Sequence, residues 1–127
     1  MFHYTVETTK TIPEAIQSLE DSLKQEKFGV LWKLDIQDTL KSKGFDFDPS
    51  YHILEVCNPN EAHNLLTENK LVGYLLPCKI VVYDDQGTTK IGMPKTIALM
   101  QLTEDESAIE QAKSIEKRLI TCIDAAK

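Results

Sequence analysis

Positively charged residues that could bind phosphate are few in this sequence. Arg118 is the only arginine among 127 residues, and 20 acidic side chains outnumber 14 basic ones, which gives a net charge of −6. Proteins that bind nucleic acid or anionic membranes carry a surplus of lysine and arginine on one surface. The composition therefore predicts neither nucleic acid nor membrane as a partner.

Long apolar runs are missing as well, and glycine occurs only five times. No segment approaches the length of a membrane span, and the N-terminus lacks the basic and apolar regions of a secretory signal. The glycines form no phosphate-binding loop, dinucleotide fingerprint or nucleophile elbow. The three cysteines are an odd number beside apolar segments, which favours a reducing cytoplasm over a disulfide framework.

Metal-ligand patterns are not met either. His52 stands five residues before Cys57 and His63 stands six residues after it, and neither spacing is typical of a zinc site. The segment from Asp46 begins like a calcium loop, but it has Tyr51 where that loop requires glycine. We therefore expect no metal site.

Hydrophobic periodicity predicts an α+β fold in one domain that covers residues 1–127. Strands are predicted over 2–7, 28–36, 51–57, 74–84 and 88–93, and helices over 12–27, from 59 onwards and after 103. Capping boxes are predicted at Thr11 and Thr103, and residues 94–102 fit either a short helix or an edge strand. This order predicts two layers, a mostly antiparallel sheet with helices on one face.

Two predicted strands are apolar on both faces. Residues 30–32 are consecutive apolar residues, and residues 75–76 and 80–83 repeat the pattern, although a sheet covered on one side alternates apolar and polar residues. Burying an aliphatic side chain contributes roughly 1.5–3 kcal/mol, so a bare second face is unfavourable. We expect a second copy of the chain to cover it as a homodimer. The alternative is that the chain's own shorter segments complete the cover.

Two cysteines lie near prolines at predicted strand ends. Cys57 directly precedes a helix N-terminus, where the helix dipole and free N–H groups can lower a thiol pKa. Cys78 directly follows Pro77. Together the thiols could bind a soft ligand or cycle between redox states. The alternative is that both are packing residues, which is the commoner role of free cysteine.

One lysine is a further candidate. Lys43 stands before Gly44 and near Glu55 in sequence, so it could be a cation on the ligand side. The alternative is that it complements the C-terminus of a short helix that Gly44 ends.

Three segments resemble the domain-of-unknown-function family 302 over nearly the whole chain: LWKLDIQDTLKSKG, YHILEVCNPNEAHNLL and GYLLPCKIVVYDDQGTTKI. The most specific pieces are Lys43-Gly44, residues 55–59 and Pro77-Cys78. The resemblance implies a curved antiparallel sheet similar to half of a TATA-binding protein, in a small bacterial or archaeal cytosolic protein that tends to pair. It implies no reaction, and a shared fold does not bring DNA binding with it.

The sequence is compatible with three functions. The first is a cytoplasmic, homodimeric domain that binds a small apolar or soft ligand. The second is a thiol-dependent redox or transfer enzyme that uses Cys57 and Cys78, and the third is a protein-interaction module. The sequence identifies no cofactor. The candidate site residues are Cys57, Cys78, Pro77, Trp32, Tyr74, Lys43 and Glu55.

Overall fold

Five strands and five α-helices make up the fold, which a computed structural model describes over residues 1–127. The strands are β1 (His3–Thr8), β2 (Gly29–Asp35), β3 (Tyr51–Cys57), β4 (Cys78–Asp85) and β5 (Thr88–Pro94). The helices are α1 (Ile12–Gln25), α2 (Ile36–Ser42), α3 (Pro59–Glu68), α4 (Thr96–Met100) and α5 (Glu106–Ala126), with 3₁₀ turns at Lys70–Tyr74 and Gln101–Thr103. The predicted α+β class is confirmed.

The strands form one open antiparallel sheet in the order β1-β5-β4-β3-β2. A two-residue turn joins β4 to β5, and its residues Gln86 and Gly87 have positive φ angles of 53° and 91°. Such a turn matches the right-handed twist of paired strands. It confirms the tight turn predicted for this hairpin.

Helix α1 has a capping box at its start and a left-handed residue at its end. The Thr11 hydroxyl accepts from the Glu14 N–H, while the Glu14 carboxylate accepts from the Thr11 N–H. At the other end the Phe28 N–H donates to the Leu23 carbonyl at 2.9 Å. This Schellman ending gives Lys27 a φ of 63°, where glycine is usual.

The long helices α1 and α5 pack against each other and against one face of the sheet. The ion pair between Lys33 and Glu20, at 2.8 Å, joins β2 to α1, and a hydrogen bond from Tyr4 to Asp124 joins β1 to α5. None of the helices combines the length and apolar character that crossing a membrane requires. The largest fully enclosed core side chains include Leu19, Leu23, Leu54, Ile80, Ile91, Leu119 and Ile123.

The opposite side of the sheet, termed the open face, has a short apolar row between two rows that each combine aromatic and charged residues: Trp32, Glu55 and Lys79 in one, and Tyr51, Tyr83 and Lys90 in the other. The apolar row crosses three strands as register partners, each half-buried: Leu34, Ile53 and Val81. On one side of it, Glu55 and Lys79 form an ion pair at 2.9 Å. On the other side, Lys90 lies 2.7 Å from Asp85. The open face is therefore mixed in character rather than uniformly apolar.

A β-bulge explains part of the difference from the sequence pattern. The β2–β3 register shifts between Val30 and Trp32, so Leu31 is an extra residue in β2. The leucines at 75–76 lie before β4 and do not belong to the sheet. The run of apolar residues in β2 is thus a local irregularity and not a strand buried on both sides.

Two element boundaries also differ from prediction. β4 begins at Cys78 rather than Tyr74, because Pro77 has no N–H to donate within a strand ladder. The predicted capping box at Thr103 is wrong, because α5 begins after Asp105, whose carboxylate accepts from the N–H groups of residues 107 and 108. Of the ambiguous segment 94–102, Pro94 ends β5 and residues 96–102 are helical.

Candidate functional site

A cavity of about 550 Å³, termed the end cavity, opens at the end of the sheet where β4 begins and β5 ends. Its walls are the segment before β4, the bulged part of β2, and α4. Leu119 of α5, which is buried, closes its inner side. Of the 14 residues that line it, nine are hydrophobic, so the end cavity offers an apolar environment.

Large apolar side chains stand exposed at the mouth of the end cavity. The β2 bulge leaves Leu31 62% and Trp32 56% exposed. Tyr74 is 84% exposed at the end of a 3₁₀ turn that the buried Val72 anchors to the core. Exposed apolar groups gathered around a concave apolar site are typical of a binding surface.

Few polar groups line the end cavity. Lys79 and Glu55, which sit opposite each other on β4 and β3, form the ion pair at 2.9 Å described above. The others are Thr96, at the start of α4, the Cys78 thiol and, at the mouth, the Tyr74 hydroxyl and the Trp32 indole N–H. No three His, Cys, Asp or Glu side chains are grouped as ligands of a metal ion.

Cys57 and Cys78 lie near each other but do not both reach the end cavity. Val56 is the register partner of Cys78, so Cys57 is one residue further along β3. Cys78 lines the end cavity, whereas Cys57 lines a neighbouring pocket of about 20 Å³ that Cys78 also borders. Both thiols are free.

The surroundings of both thiols favour the protonated form. Burial raises the pKa of Cys57, and burial, together with the nearby Cys57 and Glu55, raises the pKa of Cys78 to about 11. The position of Cys57 before α3, which can lower a thiol pKa, does not do so here, because burial raises it. The Asn58 side chain already accepts from the first free N–H groups of α3, so those groups are not left for a thiolate.

The structure places five of the seven predicted site residues around the end cavity: Trp32, Glu55, Tyr74, Pro77 and Cys78. Cys57 lies in the neighbouring pocket, and Lys43 is the exposed C-cap residue of α2. The use of these residues as a ligand site stays a prediction.

The sequence does not single out the α4 residues that complete the cavity, Thr96, Leu99 and Met100. Their segment has no clear period of either kind. A usable signal is Pro94, which ends a strand directly before a short apolar run.

The family model described as "Domain of unknown function DUF302" matches residues 4–126. The chain belongs to the DUF302 family. This confirms the resemblance based on Lys43-Gly44, residues 55–59 and Pro77-Cys78. A crystal structure of an uncharacterized conserved DUF302 protein from Bacillus stearothermophilus is similar to this DUF302 chain at 54% identity and a TM-score of 0.98, covering 100% of this chain and 99% of that one. No curated protein matches.

Proposed function

We propose that this DUF302 protein is a binding domain that holds a small lipophilic molecule in the end cavity. The volume of about 550 Å³ lies within the range of roughly 300–1,000 Å³ that is usual for small-molecule sites. An apolar lining with a few placed polar groups is also usual for such sites. The observation that carries the proposal is this cavity together with the exposed Leu31, Trp32 and Tyr74 at its mouth.

Fluorescence titration with N-phenyl-1-naphthylamine, an uncharged lipophilic dye, tests the proposal. We expect saturable binding to the wild-type protein. Leu99→Trp should abolish it, because the indole ring occupies the cavity that Leu99 lines. Leu102→Trp is the matched control, since Leu102 is 72% exposed and does not line the cavity. Equal binding by both variants, or none by the wild type, contradicts the proposal.

We propose in addition that a second copy of the chain covers the open face. The support is the apolar row of Leu34, Ile53 and Val81, beside which the open face forms a groove of about 520 Å³. Twofold pairing is the commonest form of self-association. Two acidic chains repel each other, so the ion pairs beside the row have to leave that surface nearly neutral for pairing to occur.

Light scattering after size-exclusion chromatography tests this pairing. We expect about twice the chain mass of 14.4 kDa. Val81→Lys should return the protein to the monomer mass, because it puts a charge in the middle of the apolar row. Leu102→Lys, an equally drastic change away from the open face, should leave the dimer intact. A wild-type monomer would refute the pairing.

We also propose a cytoplasmic location. All three cysteines are free, and their number is odd, which is the cysteine usage of reducing compartments. Fractionation of the native host with a specific antibody tests the location, and recovery with secreted protein would contradict it.

A further inference from the structure

We propose that the occupant of the end cavity is an uncharged lipophilic molecule whose single polar group, a hydroxyl or a carbonyl, is hydrogen-bonded by Thr96. This inference rests on the proposed function and names the class of its ligand. It depends on one buried hydroxyl and on the balance of charge around the end cavity.

Thr96 is a buried polar residue that faces the end cavity. It is only 3% exposed and lies in the first turn of α4. Its hydroxyl forms no hydrogen bond with another protein group, whereas every side-chain nitrogen or oxygen that is sealed from solvent does have a partner. The hydroxyl is therefore within reach of solvent, and because Thr96 lines the end cavity, a ligand oxygen there can accept a hydrogen bond from it.

Water that enters the cavity can bond this hydroxyl, because the hydroxyl is not sealed from solvent. A pure hydrocarbon that displaces the water leaves the hydroxyl without a partner, which costs free energy, whereas a ligand with a hydrogen-bonding group replaces the lost bond. Thr96 thus favours a ligand with one polar group at its inner end.

Charges around the end cavity cancel. Lys79 and Glu55 are the only charged residues in its lining, and they pair with each other at 2.9 Å. The single arginine, Arg118, is held elsewhere by the Glu61 carboxylate at 3.1 Å and the Glu26 carbonyl at 2.7 Å. A charged ligand would lose its hydration in the cavity without gaining a free counter-charge.

The Cys78 thiol adds no charge to this balance. Its pKa of about 11 keeps it protonated at neutral pH, so it contributes a weak hydrogen-bond donor and a soft, polarisable surface. An anionic or a cationic ligand gains nothing from it.

Competition titrations with three probes test the inference, using displacement of N-phenyl-1-naphthylamine. The probes are decanol, decanoic acid at a pH where it is ionised, and butylbenzene, which has no hydrogen-bonding group. On the wild-type protein, decanol should bind at least about tenfold more tightly than decanoate, because the carboxylate pays for desolvation without a partner.

Variants of Thr96 separate the hydrogen bond from the shape of the cavity. Thr96→Val keeps the shape and removes the hydroxyl, so decanol should bind about five- to tenfold more weakly while butylbenzene keeps its affinity. Thr96→Ser should retain the preference for decanol. Glu55→Gln leaves Lys79 without its partner, so decanoate should bind more tightly to that variant than to the wild type.

The outcomes distinguish this inference from the proposed function. Decanoate binding as tightly as decanol, or Thr96→Val weakening decanol and butylbenzene equally, overturns the inference and leaves a lipophilic site in place. If the dye binds and Leu99→Trp blocks it while no probe displaces it, the ligand class is wrong. If neither dye nor probe binds, the proposed function fails and the inference fails with it.

Discussion

The half-buried thiol of Cys78 makes the protein less stable at alkaline pH. Its ordinary pKa of 9.0 is raised in the folded protein to about 11. Between these values the unfolded chain loses the Cys78 proton and the folded chain keeps it, so the contribution of this thiol to stability is full below pH 9 and falls as the pH rises towards 11. At about 1.36 kcal/mol for each pKa unit, the whole effect is about 2.7 kcal/mol.

Urea unfolding of the wild type and of Cys78→Ala, under reducing conditions, measures this effect. Between about pH 8 and about pH 10.5 the wild type should lose about 1.8 kcal/mol more of its free energy of unfolding than the variant, because all other titrating groups are common to both. Cys122→Ala should behave like Cys78→Ala, since burial raises the Cys122 pKa to about 11 as well.

Cys57→Ala serves as the control, because burial raises the pKa of that thiol less than it raises the pKa of Cys78. A stability difference between the wild type and Cys78→Ala that does not change with pH would refute the burial of this thiol as described.

Three further substitutions test the packing, each by the free energy of unfolding in urea. A Cβ on Gly92 would stand 2.7 Å from Thr5 Oγ1, so Gly92→Ala should cost about 1–3 kcal/mol, and adding Thr5→Ala should restore part of it; a neutral Gly92→Ala would contradict the close approach of β1 and β5. Lys27→Gly should stabilise by about 1 kcal/mol because Lys27 has a φ of 63°, whereas Lys27→Ala should not. Arg118→Lys should cost about 1 kcal/mol, since lysine cannot bond the Glu61 carboxylate and the Glu26 carbonyl together as the guanidinium does. An unchanged free energy of unfolding would show that these two hydrogen bonds do not stabilise the protein.

Local signals in the sequence predict most element boundaries correctly. Thr11 and Asn58 cap α1 and α3 as their side-chain chemistry indicates. Gly44 ends α2 with a φ of 89°, and Gly87 turns the hairpin. Each of these features depends on hydrogen bonds or φ angles within four or five residues, so the sequence alone can specify it.

The irregularity of β2 lies outside such local rules. Three consecutive apolar residues fit a strand buried on both sides as well as a strand with a bulge, and only the β2–β3 register shows that Leu31 is the extra residue. For this reason, the open face has fewer apolar residues than the sequence pattern predicts.

The α4 side of the end cavity is specified by tertiary contacts. Helix α4 has no side-chain cap of its own. Instead, the Ile97 N–H donates to the carboxylate of Glu116 in α5 at 3.2 Å, and Glu116 lies 19 positions further along the chain. Local sequence cannot indicate where α4 begins, so the contribution of Leu99 to the cavity was not predictable. Trp32, Glu55 and Cys78 are predictable from sequence, because β2, β3 and β4 follow one another in the chain and consecutive strands commonly pair.

The central claim is that the bound molecule lies in the end cavity. The methyl resonances of the methionines test this position directly. Met100 lines the end cavity, Met93 is a core residue that does not line it, and Met1 is exposed. In a titration of protein carrying ¹³C-methyl methionine with decanol, the Met100 methyl resonance should move and saturate while those of Met93 and Met1 stay in place. A Met100 resonance that does not move at saturating decanol would contradict binding in the end cavity.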